Sequence, residues 1–110
     1  MHHDNAAKIR ALNDQARRSF VGCRVAITQG IQALGEDALR AILREVQLFN
    51  DFTPDNDPYG EHDFGSFRYA DHQLFWKFDY FDVDLSMHSP DPSDPAVTVR
   101  VLTVMLAEEY

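Results

Sequence analysis

Between Leu39 and Tyr80 the spacing of apolar residues changes period, and this change restricts the fold more than any other feature of the chain. Leu39, Ile42, Leu43, Val46 and Phe49 recur at helical intervals opposite Arg40, Arg44 and Gln47, which places them on one stripe of a helix over about 36–49. Glu36 and Asp37 suit its positive N-terminal end. Leu74, Trp76, Phe78 and Tyr80 then alternate with Phe75, Lys77, Asp79 and Phe81, the two-residue period of a strand. Apolar residues fall on both of its faces, so it belongs at the centre of a sheet. Phe67 and Tyr69 alternate with Ser66 and Arg68 just before it, which predicts a hairpin over about 66–81 turning at Ala70, Asp71 and His72.

The flanking segments complete the outline. Ile9, Leu12, Ala16 and Phe20 predict a helix over about 6–19, with Asp4 or Asn5 as N-cap and Gly22 as its stop. Val25 and Ile27 alternate in a short strand at about 23–28. Near the C-terminus Asp94 suits an N-cap and Pro95 the first helical position, so Val97, Val101, Val104 and Met105 predict one face of a helix over about 95–108. The β-branched run "VTVRVLTV", and the acids Glu108 and Glu109 against a helix C-terminus, argue for a strand there; the helix is preferred. The expected fold is a single α+β domain, 1–110, in the order α-β-α-β-β-α, with helices packed on one face of a small, mainly antiparallel sheet. Its expected core is Leu39, Ile42, Val46, Phe49, Phe67, Leu74, Trp76, Phe78, Val101 and Met105.

Composition excludes several classes of function. Cys23 is the only cysteine, which rules out an internal disulfide framework and a multi-cysteine zinc site, and a reducing cytoplasm is the expected compartment. Cys23 itself reads as a small buried apolar residue. No run approaches the roughly 18 consecutive apolar residues of a membrane span, and "MHHDNAAKIR" lacks the apolar stretch of a signal peptide. His2 and His3 carry no functional weight. The net charge of −8 is unevenly spread: residues 1–50 hold seven Lys/Arg against five Asp/Glu, residues 51–110 three against thirteen. Direct nucleic-acid binding would have to use Lys8, Arg10, Arg17, Arg18 and Arg24 and is disfavoured by the acidic remainder. A protein partner with a basic surface is the better electrostatic match.

The densest cluster of reactive side chains is "TPDNDPYGEHDFGSF", residues 53–67. Asp55, Asp57 and Gly60 match positions 1, 3 and 6 of a calcium-binding loop, but Tyr59 and Ser66 stand at positions 5 and 12 and the bidentate acid is missing. A looser metal site would draw on Asp57, Glu61, His62, Asp63 and Asp79, hard oxygens with one imidazole suited to Mg²⁺ or Mn²⁺. Acid/base hydrolysis would use His62 with Glu61 and Asp63, although neighbours in an extended segment point apart and His62 would more readily meet Asp79 or Tyr80 across the sheet. The stronger reading is structural: Asn and Asp bond nearby backbone, Pro58 fixes a bend, and Gly60 and Gly65 reach conformations closed to other residues. No catalytic residue, metal or cofactor is assigned on that reading.

The aromatic ladder around Trp76 is interleaved with Asp79, Asp82 and Asp84, not with lysine or arginine, so it reads as core and not as a base-stacking platform. Asp79, Asp82, Asp84, Asp91, Asp94, Glu108 and Glu109 form the candidate interaction surface, a set of charges able to imitate a phosphate backbone. A homodimer through an exposed sheet edge or the C-terminal segment is a further option.

Three stretches, "FTPDNDPYGEHDFGSF", "LFWKFDYFDVDL" and "SPDPSDPAVTVRVLTVMLAEEY", closely resemble the bacterial domain of unknown function 3768 family. "IRALNDQARRSFVGCRVAITQGIQALG" resembles it more loosely. The resemblance implies no activity and no catalytic residue; it implies a bacterial chain often found among plasmid or integrating-element genes. With the acidic second half, it leads to the expectation of a small cytoplasmic interaction or inhibitor protein acting against a host nucleic-acid-binding system of the restriction or CRISPR kind. The alternative is the metal-dependent or acid/base hydrolase centred on residues 57–63.

Overall fold

The computed structural model describes the backbone of residues 2–110 and side chains from Asn5 onward. Three helices, α1 (His2–Ser19), α2 (Gln29–Gln32) and α3 (Glu36–Leu48), accompany four strands, β1 (Arg24–Ile27), β2 (Phe64–Tyr69), β3 (His72–Phe81) and β4 (Val99–Leu106). The sheet order is β1-β4-β3-β2, with β1 parallel to β4 and the other two pairs antiparallel. This is the α+β architecture expected, mainly antiparallel, with its helices over one face. Helix α1 begins at His2, ahead of the expected cap, so Asp4 and Asn5 lie within it; the Asp4 side chain is outside the described residues.

The main correction concerns the C-terminus. Residues 99–106 are strand β4 and not a helix, and they take a central place between β1 and β3. The N-cap signal was real but governs a single turn: Asp94 accepts from the Ala96 N–H at 2.9 Å, and one 3-10 turn, Pro95–Val97, follows. Beyond it Val99, Val101, Thr103 and Val104 are β-branched, which suits a pleated strand hydrogen-bonded on both sides better than a helix.

Alternation divides β4 between the two faces of the sheet. Leu102, Val104 and Leu106 join Leu74, Trp76 and Phe78 of β3 under the helices, where Ala16, Ile31, Ile42 and Val46 meet them. Leu39, Phe49 and Phe67 pack at the margin of this core. Val101 belongs to the opposite face and is only partly buried, whereas Met105 on that same face is closed over. There Phe75 meets Tyr110 edge-on and Phe64 lies tilted against both, and Lys77 pairs with Asp79.

Two glycines are dictated by what approaches them. Gly65 sits opposite Trp76 in the hairpin, and a β-carbon there would fall 2.2 Å from the indole Nε1. At Gly30 a β-carbon would lie 2.6 Å from Leu106 and 2.7 Å from the Glu109 carboxylate. The hairpin turn puts Ala70, not His72, in the left-handed region at φ 53°.

Candidate functional site

His62 is held by its own backbone and by three side chains, Asp14, Asp57 and Phe52. Its backbone takes a left-handed conformation, φ 54°, and its N–H donates to Asp57 Oδ1 at 3.2 Å. The ring lies flat on Phe52, centroids 3.7 Å apart and 5° from parallel. Nδ1 is 2.8 Å from Asp14 Oδ1, and since a carboxylate only accepts, Nδ1 carries the proton. Nε2 faces Asp57 Oδ2 at 3.5 Å. Asp14 and Asp57, from helix α1 and from the loop, are therefore the partners of this histidine. The expected ones, Asp79 and Tyr80, are engaged elsewhere, Asp79 with Lys77 and the Tyr80 hydroxyl with Asn13.

The loop before His62 is braced by its own side chains. Thr53 N–H donates to Asn56 Oδ1 at 2.9 Å, Asn56 N–H returns a bond to Thr53 Oγ1 at 3.2 Å, and Asn56 Nδ2 reaches the Asp51 carbonyl at 3.0 Å. Asp57 is buried. The Asp63 carbonyl accepts from Phe78 N–H at 2.9 Å, while burial pushes the Asp63 carboxyl above its ordinary range, with Asp57 and Asp79 adding to the push. Among the described residues no group of three or more His, Cys, Asp and Glu side chains is placed to hold a metal ion. Asp57, Glu61, His62, Asp63 and Asp79 are thus neighbours in the loop and sheet but not a coordination shell.

The concave feature of this region lies one layer outward. A cleft of about 780 Å³ opens between α1, residues 59–61 and residues 88–92, lined by Asn5, Tyr59, Glu61, Tyr80, His88 and Asp91 among others. Beneath it Asn13, fully buried, ties the walls together. Its Nδ2 donates to the Glu61 carbonyl at 3.0 Å and to the Tyr80 hydroxyl at 2.8 Å, and its Oδ1 accepts from Arg100 Nε at 2.8 Å. Arg100 also donates to the Pro92 carbonyl and lies over the Tyr80 ring, 5.2 Å from its centroid. Burial raises the Tyr80 phenol far above its ordinary value, so it stays protonated throughout the physiological range. Asp91 is held below the usual carboxylate range by the hydroxyl and N–H of Ser93.

Sequence reasoning missed this network because its members are polar. Asn13 and Arg17 share the stripe of Ile9 and Ala16, and Arg100 shares the inward alternation of Leu102 and Val104, so spacing was the signal that could have found them. Arg17 donates to the Val46 and Gln47 carbonyls at 2.8 and 3.2 Å and to Asp14 at 3.3 Å, with Trp76 and Phe52 5.1 and 5.5 Å from its guanidinium carbon. An arginine thus caps the C-terminal end of α3 from inside the core.

The seven acids of the candidate interaction surface divide by employment. Asp82 accepts from Ser86 N–H and Oγ and from Met87 N–H, which lowers its pKa; Asp91 serves Ser93, Asp94 caps Ala96, and Asp79 pairs with Lys77. Glu109 accepts from Thr28 Oγ1 at 2.6 Å, Gly30 N–H at 2.9 Å and Leu106 N–H at 2.9 Å, which holds its carboxyl below the usual range and pins the chain end to α2. Asp84 and Glu108 are exposed and spend no carboxylate bond on the fold among the described residues. Cys23 is half-buried, and burial raises its thiol pKa.

Fold and site together define a small α+β protein with one sheet face under helices and an acid-lined cleft beside α1. The chain belongs to the family described as "Protein of unknown function (DUF3768)", whose model matches residues 27–109, from the end of β1 to the last turn. No curated protein and no solved structure matches it. No helix among the described residues is long and apolar enough to cross a membrane.

Proposed function

We propose that the protein is a non-enzymatic binding protein whose acidic second half docks against a basic surface of a protein partner. The observation that carries this reading is the separation of charge, thirteen acids against three bases in residues 51–110 beside a mildly basic first half. Complementary potentials of this kind steer encounter and fix orientation. Asp84 and Glu108 are exposed, with carboxylates uncommitted to the fold among the described residues. A second support is the employment of His62, whose ring packs on Phe52 and faces the carboxylates of Asp14 and Asp57. Proteins that bind nucleic acid present the basic surfaces that best match such acidity. Inhibition of restriction or CRISPR machinery in a cytoplasmic bacterial setting is the role that this charge and the resemblance to mobile-element proteins support together.

The test is affinity capture from a bacterial host with the wild type and with an Asp84→Asn/Glu108→Gln variant, since neither carboxylate holds the fold. The expected outcome is a partner released from the wild type as salt rises from about 50 to 500 mM, because screening lengths shrink to a few ångströms over that range. The same partner should be recovered poorly by the variant. Equal recovery by both proteins overturns the reading.

A further inference from the structure

We propose that β2 joins two copies of this chain edge to edge, pairing antiparallel with the same strand of a second copy about a two-fold axis at Ser66. The inference does not rest on the acidic-surface reading: a dimer carries that surface twice, and the two can fail separately.

The direction of the backbone follows from the hairpin register. Phe64 pairs with Lys77 and Gly65 with Trp76, and the Phe78 N–H donates to the Asp63 carbonyl. Hydrogen-bonded positions alternate along an antiparallel ladder, so Asp63, Gly65, Phe67 and Tyr69 turn their backbone toward β3. Phe64, Ser66 and Arg68 turn theirs outward, where β2 has no neighbour among the described strands. Ser66 and Arg68 are exposed. A row of outward N–H and C=O groups is a template for a further strand.

Proteins normally guard such edges, and the two edges of this sheet differ in that respect. Strand β1 is four residues long, and the Gln32 side chain donates to its Ile27 carbonyl at 2.9 Å. Strand β2 pairs over six residues without a bulge and contains no proline. Its only charge, Arg68, is drawn back over its own hairpin, to the Asp71 carbonyl at 3.2 Å and to Gln73 Oε1 at 3.4 Å. The outward row is also complementary to itself. Phe64, Ser66 and Arg68 project from the open face of the sheet, beside Lys77, Phe75 and Gln73. When Ser66 faces Ser66 of a second copy, Phe64 stands opposite Arg68 of that copy, a ring beside a guanidinium, and the pair repeats across the axis. At the axis itself the side chain is small and uncharged. This match in both directions favours a second copy over a strand of other sequence.

The experiment is sedimentation equilibrium of the whole chain over a range of concentrations, with amide hydrogen exchange on the same samples. The expected result is a monomer–dimer equilibrium that reaches twice the chain mass by about 1 mM. Exchange at Phe64, Ser66 and Arg68 should slow roughly tenfold from dilute to concentrated protein, because these N–H groups gain acceptors only across the seam. Ser66→Pro removes one outward N–H without touching the hairpin ladder and sets a ring in the seam, so it should stay monomeric. Ser66→Lys and Ser66→Asp each place like charges face to face at the axis and should be monomeric alone; mixed, they should pair. Circular dichroism reads the fold of each variant, and the two charged variants carry the test if the proline variant unfolds. Raising salt should strengthen the dimer, since each copy has a net charge of −8 and the seam contains no ion pair, whereas capture of a basic partner should weaken. A wild type that remains a monomer at about 1 mM overturns the proposal and leaves the edge to a strand from another protein. A dimer that salt dissociates, that the single variants leave intact, or that the mixed charged variants fail to restore overturns it as well.

Discussion

Gly65 and Trp76 face each other across the β2–β3 hairpin so closely that the indole fills the place of a side chain. Trp76 is fully buried and touches Phe49, Phe52 and Phe78 edge-on, so it has no free direction in which to retreat. Gly65→Ala should therefore destabilise the protein by about 1–3 kcal/mol, the usual cost of overpacking. Urea unfolding followed by tryptophan fluorescence measures it. An unchanged midpoint would mean that the hairpin register differs from the one described.

Arg17 presents a different kind of buried dependence. Its guanidinium satisfies the Val46 and Gln47 carbonyls at the end of α3 and packs on Trp76 and Phe52. Arg17→Ala removes the packing and the donors together and should cost about 3–5 kcal/mol, the range for breaking a buried charged partner. Arg17→Met restores most of the volume but no donor, so it should fall between wild type and alanine. Thermal unfolding of the two variants side by side checks the order.

These two residues also mark how far the sequence can be read. The hairpin, α3 and the burial of Trp76 and Phe78 follow from apolar period, because burial of apolar side chains drives those elements and leaves its period in the chain. Arg17, Asn13 and Arg100 are buried for the opposite reason, to satisfy backbone and each other, and hydropathy scores them as surface. Strand β4 was misjudged because Asp94 and Pro95 announce a helix that one turn exhausts, while the slot between β1 and β3 that decides the matter is tertiary. His62 and its acids were conspicuous in the sequence. Their partner Asp14 lies 48 residues away and no local pattern points to it.

Stability should respond to pH through two acids of opposite sign. Asp63 has its folded pKa raised by burial, so the folded state holds the proton more tightly than the unfolded chain. Its ionisation therefore opposes folding as pH climbs above the unfolded value near 3.9 and through the folded one. Asp63→Asn should raise the melting temperature at pH 7 and change it little at pH 3. Glu109 has its folded pKa lowered by Thr28 first and then by backbone N–H groups, so its stabilisation is present above the unfolded value and is lost as pH falls through the folded one. Glu109→Gln should accordingly lower the melting temperature at pH 7 and converge on wild type at low pH. Melting curves at pH 3, 5 and 7 for both variants decide it; like-signed effects at pH 7 would contradict the burial assigned to Asp63.

Asn13 joins more of the molecule than any other polar side chain described, since α1, the Glu61 backbone, β3 and β4 all meet at its amide. Leucine has nearly its shape and none of its bonds, so Asn13→Leu would leave the Glu61 carbonyl without its amide donor and Arg100 Nε without its acceptor. Each such buried orphan costs about 1–3 kcal/mol. The loss should be local as well as global, because the Glu61 carbonyl is one of three points at which residues 60–62 are tied to α1, beside Gly60 with Arg10 and His62 with Asp14. Amide hydrogen exchange at residues 59–62 should accelerate more than at Leu102 or Val104, whose protection comes from the sheet. If exchange rose uniformly, Asn13 would be one core residue among many; a gain concentrated at 59–62 shows that the Arg10 and Asp14 bonds to this segment do not hold it without Asn13.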